Sequence, residues 1–170
     1  MGKLSETNGI IRSAAITIAS ASVLLAAASS FAQSPQPVST DPAAVAKERE
    51  TAMKSMGDAM KKIAAYVKNE GGTIEGVREG AAALQQASHK IVPNLFPANT
   101  GIGTVDGSEA KPEIWQQWPK FEQAATRLVT ASDGLTTAAT GEDRASIARQ
   151  FGQVGQSCGG CHDDFRQKKN

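Results

Sequence analysis

Apolar side chains recur at alternating intervals of three and four residues along most of this chain. The first such stripe follows Asp41-Pro42, a pair that suits the cap and the first position of a helix, and its members are Met53, Met56, Met60, Ile63 and Val67. This spacing is that of a heptad seam and predicts a helix that packs within a bundle. Gly71-Gly72 is expected to end the helix.

The same alternation predicts three further helices. They run from about Thr73 to Ile91, from near Pro119 to Gly141, and from about Glu142 to Lys168. Each has one apolar side that is expected to face the core. These apolar sides consist of Ile74, Val77, Ala81, Leu84 and Ile91 in the second helix, Phe121, Leu128 and Leu135 in the third, and Ile147, Phe151, Val154, Cys158, His162 and Phe165 in the fourth.

A long stretch without periodicity separates the second and third helices. Pro93 and Pro97 end the second helix, and a glycine-rich stretch follows as far as Lys111. Connections of this length in a bundle are usually functional or mobile, and Pro112 to Trp115 is expected to form a short helical turn. Short turns elsewhere, and the lack of an alternating strand pattern, predict an all-α, antiparallel up-down four-helix bundle.

Residues 1–32 have the pattern of a secretory signal peptide. Lys3 and Arg12 come before an apolar run over residues 13–28, and Ser30-Phe31-Ala32 supplies small residues for cleavage after Ala32. An uncleaved membrane anchor is the alternative. The run is short for a span and rich in Ala, Ser and Thr, so we expect export to the periplasm without stable membrane insertion.

The exported part is expected to be one near-neutral domain. Residues 33–40, with two prolines, are predicted to be a disordered leader, and residues 41–170 are enough for a single domain with its own core. The chain has 18 Lys and Arg and 17 Asp and Glu, and the predicted signal peptide holds two of the basic and one of the acidic residues. A formally neutral domain offers no basic face large enough for nucleic acid.

The motif that carries chemistry is Cys158-Gly159-Gly160-Cys161-His162, which contains both cysteines of the chain. Two thiols three residues apart, with histidine directly after the second, form the pattern by which a c-type haem is attached and its iron is bound. On a helix, Cys158, Cys161 and His162 lie on one face. We therefore predict one covalent haem c inside the bundle, near the C-terminal helix.

Three other interpretations of the motif are weaker. A redox-active pair of the thioredoxin kind needs a βαβ setting, which the pattern does not predict, and a structural disulfide is less favoured still. A zinc site needs a fourth ligand. The only other histidine, His89, is far away in sequence and is expected at the surface.

Antiparallel packing of the first and last helices would bring Met53 near His162. Its thioether could then face the iron as a soft distal ligand, or Met53 could simply fill the core. Arg49 precedes Met53 by four residues, and Arg166 follows His162 by four. Both arginines are candidate partners for haem propionates, although either side chain could instead extend to solvent.

Several segments together resemble the class II cytochromes c over the whole exported chain. The segments are Arg49-Glu-Thr-Ala-Met53-Lys54, Lys111-Pro-Glu-Ile-Trp115, Phe151-Gly152-x-Val154 and Cys158-x-x-Cys161-His162-Asp163-x-Phe165-Arg166. The resemblance implies thioether bonds from Cys158 and Cys161, a proximal His162 and a distal Met53. An arginine followed by methionine and lysine is more like the low-spin, methionine-ligated branch than the high-spin cytochromes c′. By the same resemblance, a homodimer is an expected state.

The predicted function is one-electron transfer between a donor and an acceptor redox protein, without enzyme chemistry. If Met53 does not bind the iron, the alternative is a high-spin, five-coordinate protein that binds NO or CO. A structural or folding partner with an incidental haem is a third hypothesis. Peroxidase activity is disfavoured because it requires a distal acid–base group over an open iron.

Overall fold

The computed structural model describes residues 39–168. The predicted signal peptide, residues 1–32, and residues 33–38 of the predicted leader lie outside this part. No helix between residues 39 and 168 is both long and apolar enough to cross a membrane.

Four long helices form a bundle in the described part of the chain. The helices are α1 (Pro42–Val67), α2 (Ile74–Ser88), α3 (Glu113–Gln116), α4 (Trp118–Gly141) and α5 (Arg144–Phe165), with a π-helical turn at Ile91–Leu95. Helix α3 is a single turn. Among the long helices, α1 packs against α2 and α5, and α4 packs against α2 and α5. The predicted four-helix bundle is confirmed.

Three of the long helices begin at capping residues. Asp41 accepts a hydrogen bond from the amide of Ala43 ahead of α1, and Thr73 accepts one from Gly76 ahead of α2. Asp143 caps α5 by accepting from the amides of Ala145 and Ser146. These side chains satisfy amides that have no partner within the helix.

Two predicted helix ends are wrong. Helix α2 ends at Ser88 rather than Ile91, and the chain then passes through the π-helical turn, where Pro93 has no amide hydrogen to continue a helix. Helix α5 ends at Phe165 rather than Lys168, because Arg166 is extended and its backbone pairs with Ala110.

The predicted apolar sides form the core. Leu84, Leu135 and Ile147 are fully buried, and of the α1 seam Met56 and Ile63 are buried whereas Met53, Met60 and Val67 are partly buried against the same core. Burial of such side chains is worth about 1.5–3 kcal/mol each and holds the four helices together. The other buried apolar members are Val45, Ala59, Val77, Ala81, Ala87, Ile91, Leu95, Phe96, Ala110, Ile114, Phe121, Ala124, Ala125, Leu128, Ala131, Ala139, Val154 and Phe165.

Residues 96–112, which we call the cavity loop, connect the π-helical turn to α3. The loop closes on itself through the amide of Ile102, which donates to the carbonyl of Ala110 at 2.9 Å. It is also bonded to the end of α5: the amide of Lys111 donates to the carbonyl of Phe165 at 3.0 Å, and that of Gln167 to Glu109 at 2.8 Å. The aperiodic stretch is therefore a folded segment.

Candidate haem site

A cavity of about 500 Å³ lies where α1 begins and α5 ends. This volume is within the range of about 300–1,000 Å³ that is typical of small-molecule and cofactor sites. Helix α1, the cavity loop, α3, α4 and the end of α5 all contribute to its wall. The lining residues used below are Arg49, Met53, Phe96, Ser108, Phe121, Cys161, His162, Phe165 and Arg166.

The haem-attachment motif contributes to this cavity from α5. Cys161 and His162 line the cavity, and Cys158 lies one turn earlier, partly buried against the core. Both thiols are free. Gly159 and Gly160 are exposed, and a Cβ on either would meet open space. The helix therefore turns its two thiols and imidazole toward the interior and its two glycines outward.

The environment shifts the pKa of each of these donor groups in the direction that favours its uncharged form. Burial raises the pKa of Cys158, and burial together with the neighbouring Cys158 and Asp164 raises the pKa of Cys161 to about 11. Burial, and then the charge of Arg166, lowers the pKa of His162. A redox-active cysteine pair instead needs a lowered thiol pKa. The raised pKa values therefore also disfavour the thioredoxin-like interpretation.

Met53 reaches the same cavity from α1. It is partly buried, packs against the core cluster and lines the cavity together with His162. Met53 and His162 thus line the same cavity from two different helices. Whether the Met53 sulfur binds the iron stays a prediction.

Phenylalanine rings form the apolar part of the wall. Phe121 lies at the centre, with ring centroids 4.7 Å from Phe96 and 5.4 Å from Phe165. Trp118 packs on the outside of Phe121 at 5.4 Å. All three phenylalanines are buried, and such close aromatic pairs add to the stability gained by burial alone. This wall suits the flat, apolar surface of a porphyrin.

Arg49 is buried, with only 7% of its surface exposed. Its Nη1 donates to the carbonyl of Leu95 at 3.1 Å and to Oγ1 of Thr100 at 3.0 Å. Its Nη2 donates to the carbonyl of Thr100 at 2.7 Å and to Oγ of Ser108 at 3.0 Å. The sequence did not predict these partners. Burial lowers the pKa of Arg49.

Arg166 also lines the cavity and is half exposed. Its Nε is 3.9 Å from a carboxylate oxygen of Glu109, and its backbone pairs with Ala110. The predicted contacts of Arg49 and Arg166 with haem propionates stay predictions. Both side chains line the cavity in which the propionates of a bound haem would lie.

His89 lies apart from this site. Its ring is exposed and its Nε2 is 3.1 Å from Oδ1 of Asp133, so its predicted surface position is confirmed. Within residues 39–168, no group of three or more His, Cys, Asp and Glu side chains is arranged to hold a metal ion.

The residues present fit a haem c. Two thiols and an imidazole on one helix face supply the attachment and proximal groups, and the cavity of about 500 Å³ beside them has three phenylalanine rings in its wall. The sequence did not identify Phe96, Thr100 or Ser108 as part of the site. The signal that this segment has a role was its length and its lack of hydrophobic periodicity.

Comparison with known proteins gives the same assignment. The family model for Cytochrome C′ matches residues 44–166. A cytochrome c-554 of Cereibacter sphaeroides is 34% identical over 90 residues, which cover 53% of this chain and 58% of the relative. A cytochrome c′ of Rhodopseudomonas palustris is 36% identical over 110 residues, which cover 64% of this chain and 71% of the relative.

A solved structure has the same fold. It is a mutant of cytochrome c′ from Alcaligenes xylosoxidans in complex with nitric oxide, with a TM-score of 0.66 and 28% identity, covering 77% of this chain and 99% of that one. The family match spans all four long helices and the attachment motif. This chain therefore belongs to the cytochrome c′ family, whose cofactor is covalently attached haem c with its iron.

Proposed function

We propose that this chain is an exported, periplasmic monohaem cytochrome c′ whose iron keeps its sixth position available for NO or CO. The match to the cytochrome c′ family over residues 44–166 carries this proposal. The nitric oxide complex of the Alcaligenes relative supports the choice of ligand. Of the two functions predicted from the sequence, this is the alternative to methionine-ligated electron transfer, and membership of the cytochrome c′ family favours it.

The residues of the site would divide the work as follows. Cys158 and Cys161 would anchor the haem to α5 through two thioether bonds, and a neutral His162 would donate its nitrogen lone pair to the iron from the proximal side. The phenylalanine wall would keep water out and limit entry to small, uncharged molecules. Bound haem supplies an iron that changes between ferric and ferrous states and takes a gas as ligand. No substrate is transformed.

Met53 would act as an apolar neighbour of the distal position. A flexible thioether in the cavity wall can move to admit a diatomic ligand. It would also crowd the distal side, which disfavours larger ligands. In this role Met53 affects ligand entry without a bond to the iron.

One-electron transfer with Met53 as sixth ligand is the second candidate. The observation that favours it is that Met53 and His162 line one cavity from different helices. A thioether ligand favours low-spin iron and raises the reduction potential. The partners would then be a donor and an acceptor redox protein, which meet the haem edge in weak, transient contacts.

The test is the optical spectrum of the ferrous holo-protein with and without CO. We expect a broad, high-spin spectrum that changes when CO is added. A sharp low-spin spectrum that is indifferent to CO would contradict the proposal and support electron transfer through a methionine-ligated iron.

Two substitutions at Met53 sharpen the test. Met53→Leu conserves volume without sulfur, and Met53→Ala opens space. If Met53 is only a neighbour, Met53→Leu leaves the spectrum unchanged, whereas Met53→Ala accelerates CO binding. If Met53 is a ligand, both variants become high-spin and gain CO binding. Met60→Leu is the matched control, because Met60 lies two turns further along α1 and does not line the cavity.

A further inference from the structure

Arg49 links α1 to the cavity loop through an unusually complete set of hydrogen bonds. An arginine side chain has five N–H donors, four of them on its two terminal nitrogens. In this structure those two nitrogens make four hydrogen bonds, to Leu95, Thr100 and Ser108. A propionate would therefore find at most the Nε–H of this guanidinium group, and the main partner of Arg49 is the chain itself.

The acceptors of Arg49 are held in turn by the loop. Oγ1 of Thr100 donates to the carbonyl of Pro97 at 2.8 Å, and Oγ of Ser108 donates to the carbonyl of Thr100 at 3.0 Å. Thr100 has 1% of its surface exposed. The guanidinium carbon also lies 4.8 Å from the centroid of the Phe96 ring, a cation–π distance. Arg49 therefore joins both ends of the loop to one point on α1.

This point on α1 is close to the distal side of the site. Arg49 and Met53 are four residues apart, so they lie one turn apart on the same face of the helix. The loop is also attached to α5, where the amide of Lys111 donates to the carbonyl of Phe165, three residues beyond His162. The loop thus spans from the helix of the candidate distal residue to the helix of the proximal ligand.

We propose that Arg49 is a positioning residue, which holds the cavity loop against α1 and thereby fixes the wall that a small ligand must pass to reach the iron. This inference rests on the proposed function, because it assigns Arg49 to ligand access at the same site. A buried charge with four hydrogen bonds is costly to break, so the closed loop is the stable arrangement. Ligand access is then coupled to local opening of residues 96–112.

The test compares three variants of the holo-protein. Arg49→Lys keeps the charge but loses the planar fork that serves several acceptors at once. Thr100→Val removes one acceptor with little change of shape, and Thr100 is not among the cavity-lining residues. Arg78→Lys is the control, because Arg78 is a half-exposed arginine near the start of α2 that pairs with Glu75 and Glu142.

Two readouts are measured on each variant: hydrogen exchange of the amides of Ile102 and Val105, and the rate of CO association after flash photolysis. We expect Arg49→Lys to accelerate exchange at these amides by at least about tenfold, equivalent to about 1.4 kcal/mol, with less change in α4. CO association should become several-fold faster. Thr100→Val should act in the same direction by a smaller factor, and Arg78→Lys should change neither readout.

The inference is overturned if Arg49→Lys and Thr100→Val destabilise the whole bundle evenly and leave the CO rate as in the wild type. If Arg49→Lys does not fold, Thr100→Val alone decides between these results. Failure of the proposed function shows separately, as a wild-type protein that does not take CO. In that case the readout is the share of ferric protein with a methionine-ligated spectrum. If Arg49 positions the loop, Arg49→Lys should lower this share. If Arg49 only stabilises the fold, the share should not change.

Discussion

The two ends of the bundle are built in different ways. At the turn end, where α1 and α4 finish and α2 and α5 begin, the connections are residues 68–73 and 142–143. Among the cross-links there, the exposed side chains of Arg78 and Glu142 form an ion pair, and the exposed Arg144 lies over the ring of the partly buried Tyr66. Exposed ion pairs contribute little to stability.

At the haem end, a 17-residue loop is held by buried, long-range contacts. Arg49 binds oxygen atoms 46 to 59 residues away in sequence, and the indole nitrogen of Trp115 donates to the carbonyl of Phe96 at 3.1 Å. The difference shows that the turn end joins its helices by short connections, whereas the haem end uses irregular backbone to build a cavity wall. Irregular backbone near a ligand requires such dedicated hydrogen-bond partners.

The largest expected effect on stability comes from substitutions at two positions of α4, one near the haem end and one toward the turn end. Phe121 and Leu135 are both fully buried on α4, but only Phe121 lines the cavity. Phe121→Ala should cost about 3–5 kcal/mol and Leu135→Ala about 2–5 kcal/mol of the free energy of unfolding. Urea unfolding measures both, and the haem absorption spectrum should change in Phe121→Ala alone.

This pair of variants could also break the comparison. If Leu135→Ala shifted the haem spectrum as much as Phe121→Ala, the aromatic wall would have no special relation to the haem. The distinction between the two ends would then not extend to function.

A medium effect is expected at Gly101 in the cavity loop. A Cβ at this position would lie 2.5 Å from Cζ3 of Trp115 and 3.0 Å from the carbonyl oxygen of Ala110. Gly101→Ala should therefore overpack the loop and cost about 1–3 kcal/mol. Thermal unfolding checks the cost. The control is Gly57→Ala on the exposed side of α1, which has open space and should gain up to about 1 kcal/mol from helix propensity.

A Gly101→Ala variant as stable as the wild type would show that the Trp115 ring can move aside at little cost. The loop would then be more adaptable than its packing indicates. Such a result would weaken the contrast between a rigid haem end and a simple turn end.

The smallest effect is a pH dependence at the turn end. Hydrogen bonding from the side chain and then the amide of Ser146 holds the pKa of Asp143 below its ordinary value. The folded state therefore favours the carboxylate. Its contribution to stability is present above the unfolded pKa of about 3.9 and is lost as the pH falls through the lower folded pKa.

Asp143→Asn keeps an uncharged cap and removes this titration. In urea unfolding, the stability difference between wild type and variant should be constant above about pH 5 and should shift against the wild type as the pH falls below about 4. A difference that is the same at acidic and neutral pH would show that the cap does not depend on charge.

The turn end could be predicted from the sequence because its determinants are local. Thr73 precedes α2 directly, and Gly71-Gly72 follows the end of α1. Gly71 has a φ of 83°, and a Cβ on Gly72 would collide with the backbone of Tyr66. These requirements leave a signature in neighbouring residues.

The haem end could be predicted only in part. The attachment motif identified α5 as the haem helix, and the apolar seam placed Met53 on the inner side of α1. The partners of Arg49 could not be predicted, because Thr100 and Ser108 meet it only after the chain has folded. The end of α5 was missed for the same reason: Arg166 leaves the helix to pair with Ala110, a contact between distant segments.

The central claim is that Cys158 and Cys161 hold one haem on α5, and its most direct test is the mass of the denatured holo-protein. We expect the polypeptide plus one haem, with fragments that place it on both cysteines. The double variant Cys158→Ser/Cys161→Ser should have the mass of the bare polypeptide, and Ser157→Ala should keep the haem. A wild-type protein that loses its haem on denaturation, or that contains a Cys158–Cys161 disulfide, would contradict the account.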